Sequence, residues 1–105
     1  MLTLLNTSIL TSFGSYNYRE INLEQARELV QNNQIQSAIG HQSTADIMTT
    51  LLEVEVNMNR IQFKQKEGET ALVFQLKGRA PEGAILSVEE LQQIGFTWGI
   101  LERIS

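Results

Sequence analysis

Thr70-Ala71-Leu72-Val73-Phe74-Gln75-Leu76 is the stretch on which the fold turns. Ala71 to Phe74 are apolar without a break. A strand with one wet face alternates apolar and polar side chains, because successive side chains leave opposite faces of the sheet. An unbroken run fits a strand covered on both faces, the usual condition in a parallel or mixed sheet. Gln75 interrupts the run with one amide. It must find hydrogen-bond partners if it is buried, or it lies on a less covered face.

Upstream, residues 60–64 read as a partner strand, joined to the first stretch around a turn at Glu67-Gly68-Glu69. Downstream, a loop at 78–83 leads to Ser87 and Glu90, whose spacing forms a capping box for a helix from Val88 to about Ile94. Gly95 ends that helix, and Phe96, Trp98 and Ile100 alternate in a last strand. Towards the N-terminus, residues 43–53 form a helix with Ile47, Met48, Leu51 and Leu52 on one face and Ser43 as its cap. Before it, residues 35–39 form a short strand. Asn22 and Gln25 are spaced to cap an earlier helix, with Leu23, Ala26, Leu29 and Val30 as its apolar stripe and Asn32-Asn33 as its end. Residues 16–21 alternate like a strand, and Leu2–Leu5 is a short buried one.

The order β-β-α-β-α-β-β-α-β predicts one α/β (α+β) domain over residues 1–105. Its mixed sheet has five to six strands, flanked by about three helices. No linker, repeat or low-complexity segment interrupts it.

The chain's 105 residues suit one domain with a real core. Apolar content of 42% and charged content of 19% belong to an ordinary globular protein. Cysteine is absent, which removes disulfides, thiolate metal sites and cysteine nucleophiles. The N-terminal Met1-Leu2-Thr3-Leu4-Leu5 lacks the basic region and cleavage site of a signal peptide, and no apolar run reaches membrane-span length. A cytoplasmic location is expected, with no membrane partner. The net charge of −4 argues against generic binding of long DNA or RNA, which needs a broad basic surface.

Three places could carry chemistry. Gly40-His41-Gln42-Ser43-Thr44 holds the only histidine, at the start of a predicted helix. Free backbone N–H groups and the helix dipole attract phosphate there. Gly40 allows a ligand close to the backbone, the hydroxyls of Ser43 and Thr44 can donate to phosphate oxygens, and imidazole can donate a proton. The plainer reading is a turn glycine, a helix cap and a surface histidine. Arg79-Ala80-Pro81-Glu82-Gly83 offers a guanidinium fork for phosphate in a stiffened loop, or simply a solvated loop. Asn6-Thr7-Ser8 follows an apolar strand, where ligands gather in α/β sheets, or it is a turn whose side chains bond their own backbone. One histidine, no cysteine and no carboxylate cluster argue against a catalytic transition-metal site.

Taken together, "LLNTSILTSFGSYNYRE" (residues 4–20), "SAIGHQSTADI" (37–47), "NRIQFKQ" (59–65) and "LKGRAPEGAILSVEE" (76–90) resemble the viral ring nuclease family of type III anti-CRISPR proteins. Its members are small proteins of archaeal viruses with bacterial and phage relatives. The resemblance covers nearly the whole chain and rests on the order and spacing of these segments.

It implies a homodimer that cleaves cyclic tetraadenylate, the second messenger of type III CRISPR immunity, without a metal or other cofactor. The implied reaction is internal transesterification, in which a ribose 2′-hydroxyl attacks its neighbouring phosphorus and expels the next 5′-oxygen. Carried over residue by residue, the resemblance makes His41 the general acid towards that oxygen. It makes Arg79 the group that holds the phosphate, and Glu82 a group that orients Arg79 or assists the 2′-hydroxyl. Gln75 and Asn6 become ligand contacts, with Ser8 matching beside Asn6. Ser43 and Thr44 match binding residues at the helix mouth, next to Gly40. A protein that sequesters the cyclic nucleotide without cutting it is an alternative. Another is a dimeric protein-interaction module whose strand 96–100 pairs between subunits.

Overall fold

The stretch 70–76 is the middle strand of the sheet. The computed structural model describes residues 1–7, 10, 12–78 and 87–105. Within them run β1 (Leu2–Leu5), β2 (Tyr16–Ile21), α1 (Leu23–Asn32), β3 (Ile35–Ser37), α2 (Gln42–Leu52), β4 (Thr70–Leu76), α3 (Val88–Ile94) and β5 (Phe96–Arg103). The five strands lie in the order β2-β5-β4-β1-β3. β1 pairs in parallel with β3 on one side and β4 on the other. β5 runs antiparallel to both β4 and β2. The sheet is therefore mixed, and β5 alone runs against the other four.

Strand pairing leaves β4 no free edge, which explains one departure from the sequence reading. Residues 60–64 do not form a strand. A hairpin to β4 would need an edge that β1 and β5 already occupy. The segment instead crosses one face of the sheet as irregular chain. Phe63 packs under Leu5, Ala71, Val73 and Leu101, while Ile61 stays exposed. Strand 96–100 was expected to pair between subunits in the interaction-module reading. It lies inside β5, where residues 98–100 are already paired on both sides within the chain, so only Phe96 and Thr97 keep a side free of β2.

Alternation along β4 defines two cores. Leu72 and Phe74 face the helices, in a cluster that takes Ala26 and Val30 from α1, Met48, Leu51 and Leu52 from α2, and Leu91 from α3. Ala71 and Val73 face the Phe63 side. The apolar run of the sequence is thus covered on both faces as expected, by helices on one and irregular chain on the other. Phe74 anchors the helix side, with its ring centroid 4.8 Å from Trp98 and 6.0 Å from Phe96. These are ordinary spacings for tilted aromatic pairs.

Local signals set the helix ends. Asn22 accepts from the Gln25 amide while the Gln25 side chain accepts from Asn22, and Ser87 and Glu90 do the same for α3. Gly95 closes α3 at φ +90°, a conformation that L side chains rarely adopt. α2 starts differently. Its cap is His41, so Ser43 lies inside the first turn and does not cap it. At the far end, Glu53 takes a left-handed conformation and returns its N–H to the Thr49 carbonyl. The Thr49 hydroxyl then accepts from the Val56 amide at 2.9 Å, fixing the chain's return. No helix among the described residues is long and apolar enough to cross a membrane.

Candidate functional site

β1, β3 and β4 are neighbours and point the same way, so their carboxyl ends emerge together at one edge of the sheet. Neighbouring strands lie about 5 Å apart, and β4 runs on past the level of Leu5, which pairs with Val73. The chain leaving β1 begins with Asn6, which is half-buried. The chain leaving β3 runs through Ala38 and Ile39 to Gly40 and His41 and then into α2. Gln75 is the penultimate residue of β4 and is exposed, so its amide faces water and lacks no internal partner. Asn6, Gly40, His41 and Gln75 thus share the edge where open α/β sheets bind ligands. Ser43 and Thr44 stand in the first turn of α2, Ser43 exposed and Thr44 half-buried. Ser8, Arg79 and Glu82 lie outside the described residues.

The start of α2 suits an anion. The first amides of any helix lack intrahelical partners. In α1 and α3 a capping box meets part of that need. At α2 the cap residue is His41, extended at φ −131° and ψ 131°, and its side chain makes no capping hydrogen bond. No acidic residue stands in the first turn. Donor groups and the positive end of the helix dipole are therefore presented beside an exposed imidazole. The nearest carboxylate in the helix, Asp46, is held by the Gln42 side-chain amide at 2.8 Å.

One feature of the mount was missed from sequence. Arg60, in the segment expected to be a strand, donates from Nε at 3.3 Å and from its terminal nitrogen at 3.0 Å to the Gly40 carbonyl. A guanidinium thus sits against the residue that precedes His41. It is twenty residues away in sequence, with no local pattern to mark it. A Cβ on Gly40 would meet this side chain only at 3.7 Å, an ordinary contact. Gly40 is therefore not required by packing in the free protein.

Charge is unevenly shared. α1 carries Glu24 and Glu28 against Arg27, α2 carries Asp46, and α3 carries Glu89 and Glu90. These helices hold the whole net charge of −4, and the rest of the chain is neutral in balance. Residues 57–66 contain Arg60, Lys64 and Lys66 and no acid.

A cleft among the described residues lies elsewhere. It has a volume of about 400 Å³ and opens between the end of β2, the start of α1 and the start of β5, with Glu20 and Trp98 among its lining residues. β2 and β3 are the two opposite edge strands of the sheet. The cleft's only charged lining residue is the Glu20 carboxylate, so it is ill-suited to a phosphate, and His41 does not line it. Among the described residues, no cluster of histidine, aspartate or glutamate could hold a metal ion.

Comparison with known proteins agrees with this architecture. The sequence profile of the STIV B116-like family matches residues 2–98. Uncharacterized protein 26 of Sulfolobus islandicus filamentous virus is 37% identical over 110 aligned positions, covering all of this chain and 93% of the relative. Uncharacterized protein YddF of Bacillus subtilis is 29% identical, covering 98% of this chain and 97% of the relative. The solved structure of B116 of Sulfolobus turreted icosahedral virus superposes with a TM-score of 0.84 at 26% identity, over 96% of this chain and 97% of that one.

Proposed function

Because the chain belongs to the STIV B116-like family, and its sequence resembles the viral ring nucleases, we propose that it is a metal-independent ring nuclease that acts as a homodimer on cyclic tetraadenylate. One observation carries the reading: the uncapped start of α2 bears the exposed His41 at the shared carboxyl edge of β1, β3 and β4. That edge offers an anion site and a proton donor in one place.

The chemistry asks little of the protein, because the RNA brings its own nucleophile. A ribose 2′-hydroxyl forms a bond to phosphorus as the bond from phosphorus to the neighbouring 5′-oxygen breaks. The products are a 2′,3′-cyclic phosphate and a 5′-hydroxyl. In this reading His41 donates its proton to the departing 5′-oxygen. The α2 amides and Arg79 hold the charged non-bridging oxygens. Glu82 orients Arg79 or assists the 2′-hydroxyl. Asn6, Ser8, Ser43, Thr44 and Gln75 contact the ligand, and Gly40 lets it approach the backbone. A ring with repeated phosphodiesters suits a two-fold dimer, which presents the same groups to opposite bonds. Removal of the messenger would silence type III CRISPR immunity.

The test is incubation of the protein with radiolabelled cyclic tetraadenylate in EDTA, with His41→Ala in parallel. The expected result is linear di-adenylate ending in cyclic phosphate, slowed at least ~100-fold in the variant while fold and binding persist. Full-length ring recovered from a tight complex would replace the enzyme with a sequestering protein. Absence of binding would overturn the reading altogether.

A further inference from the structure

We propose that Asn59 is a positioning residue for His41; this rests on the reading of His41 as the general acid. The chain approaching His41 is not secured by sheet pairing. β3 stops at Ser37, and beyond it the last bond to β1 runs from the Ala38 amide to the Leu4 carbonyl at 3.0 Å. On the outer side, where a further strand would lie, residues 57–60 take its place.

Asn59 grips that side twice. Its backbone N–H donates to the Ile39 carbonyl at 2.8 Å, and its side-chain amide donates to the Ser37 carbonyl at 2.8 Å. Ser37 reciprocates, donating its hydroxyl to the Asn57 carbonyl at 2.6 Å while accepting from the Ile39 amide at 3.3 Å. Arg60 takes the next carbonyl, that of Gly40. Three carbonyls among the last four residues before His41 are therefore held by two adjacent side chains and one amide. α2 closes the circuit, since it starts at His41 and its far end delivers residues 57–60 through the Thr49–Val56 clasp. A fixed backbone at 37–40 and a fixed helix at 42 leave the imidazole two firm neighbours.

Asn59 touches carbonyls, not the reacting atoms, so its loss should lower turnover without weakening binding. Small displacements of a catalytic group are costly to rate. For Asn59→Ala the expected results are kcat down about tenfold with KM unchanged, and amide exchange at residue 59 faster by about fivefold. Asn59→Asp keeps the shape but replaces the donor with an acceptor facing the Ser37 carbonyl, and it should do at least as badly. Ser37→Ala, which cuts the clasp from the other strand, should reproduce the kcat loss if Asn59→Ala fails to fold. His41 is the only histidine, so its ring-proton NMR signal is unambiguous and should broaden or shift in these variants.

Unchanged kcat despite faster exchange at residue 59 would overturn the positioning role, with His41→Ala still inactive in the same assay. A rise in KM matching the loss in kcat/KM would overturn it too, by making Asn59 a ligand contact. If His41→Ala still cleaves, the reading of His41 falls, and with it any catalytic consequence of its mount.

Discussion

Thr49→Val should cost about 2 kcal/mol of stability, although it replaces a hydroxyl with a methyl of nearly equal size. Thr49 Oγ1 accepts from the Val56 amide at 2.9 Å and lies 2.9 Å from the Ala45 carbonyl and 3.1 Å from the Val56 carbonyl. A hydroxyl has one proton, so it donates to one of these carbonyls at a time. In the variant, the Ala45 carbonyl keeps its helical bond, and the Val56 carbonyl loses a shared donor. The Val56 amide loses its acceptor outright, and Val56 is only 4% exposed, so water is poorly placed to substitute. An orphaned buried donor costs roughly 1–3 kcal/mol, against a gain of under about 1 kcal/mol from the added methyl. In urea unfolding the midpoint should fall with an unchanged m-value, and in a thermal scan Tm should drop by roughly 8–15 °C. Exchange at the Val56 amide should accelerate. A loss below about 0.5 kcal/mol, with Val56 still protected, would refute the assignment of Thr49 as the clasp of the α2 return.

Two further outcomes follow from other parts of the molecule. Phe74→Ala removes a ring that is 1% exposed and packed on Trp98 and Phe96, and should cost about 3–5 kcal/mol by denaturant unfolding. Gly40→Ala should leave Tm within about 2 °C, because its new methyl meets Arg60 only at ordinary contact distance. It should still slow cleavage if ligand passes close to that backbone, which single-turnover kinetics would reveal.

The sequence was clearest where the physics is local. A capping box acts across three residues, and both boxes stand where Asn22-Gln25 and Ser87-Glu90 announced them. The apolar run 71–74 reported burial on both sides because a strand's two faces are written in alternate residues. Segment 60–64 misled for a non-local reason. Its alternation is real, but no strand edge was free to receive it, and edge occupancy is settled by residues far away in the chain. The start of α2 misled by two residues, since Ser43 has the chemistry of a cap while the backbone leaves the helix at His41. At the candidate site, the edge that gathers Asn6, His41 and Gln75 follows from strand order, which periodicity does not encode. Arg60 and Asn59 were illegible as supports for His41 because their partners are backbone carbonyls, which carry no sequence signature.

The helices carry an excess of four acids, while residues 57–66 hold three bases and no acid, between Glu53 and Glu55 on one side and Glu67 and Glu69 on the other. By charge alone, a small anion is repelled near the helix acids and attracted locally by Arg60, Lys64 and Lys66. In the ring-nuclease reading, that local attraction would favour encounters near Arg60, whose guanidinium meets the Gly40 carbonyl beside His41, despite an acidic pI. Such guidance works over about one screening length, near 8 Å in cellular salt. It would set how quickly scarce ligand is found, a property separate from how fast its bonds are broken.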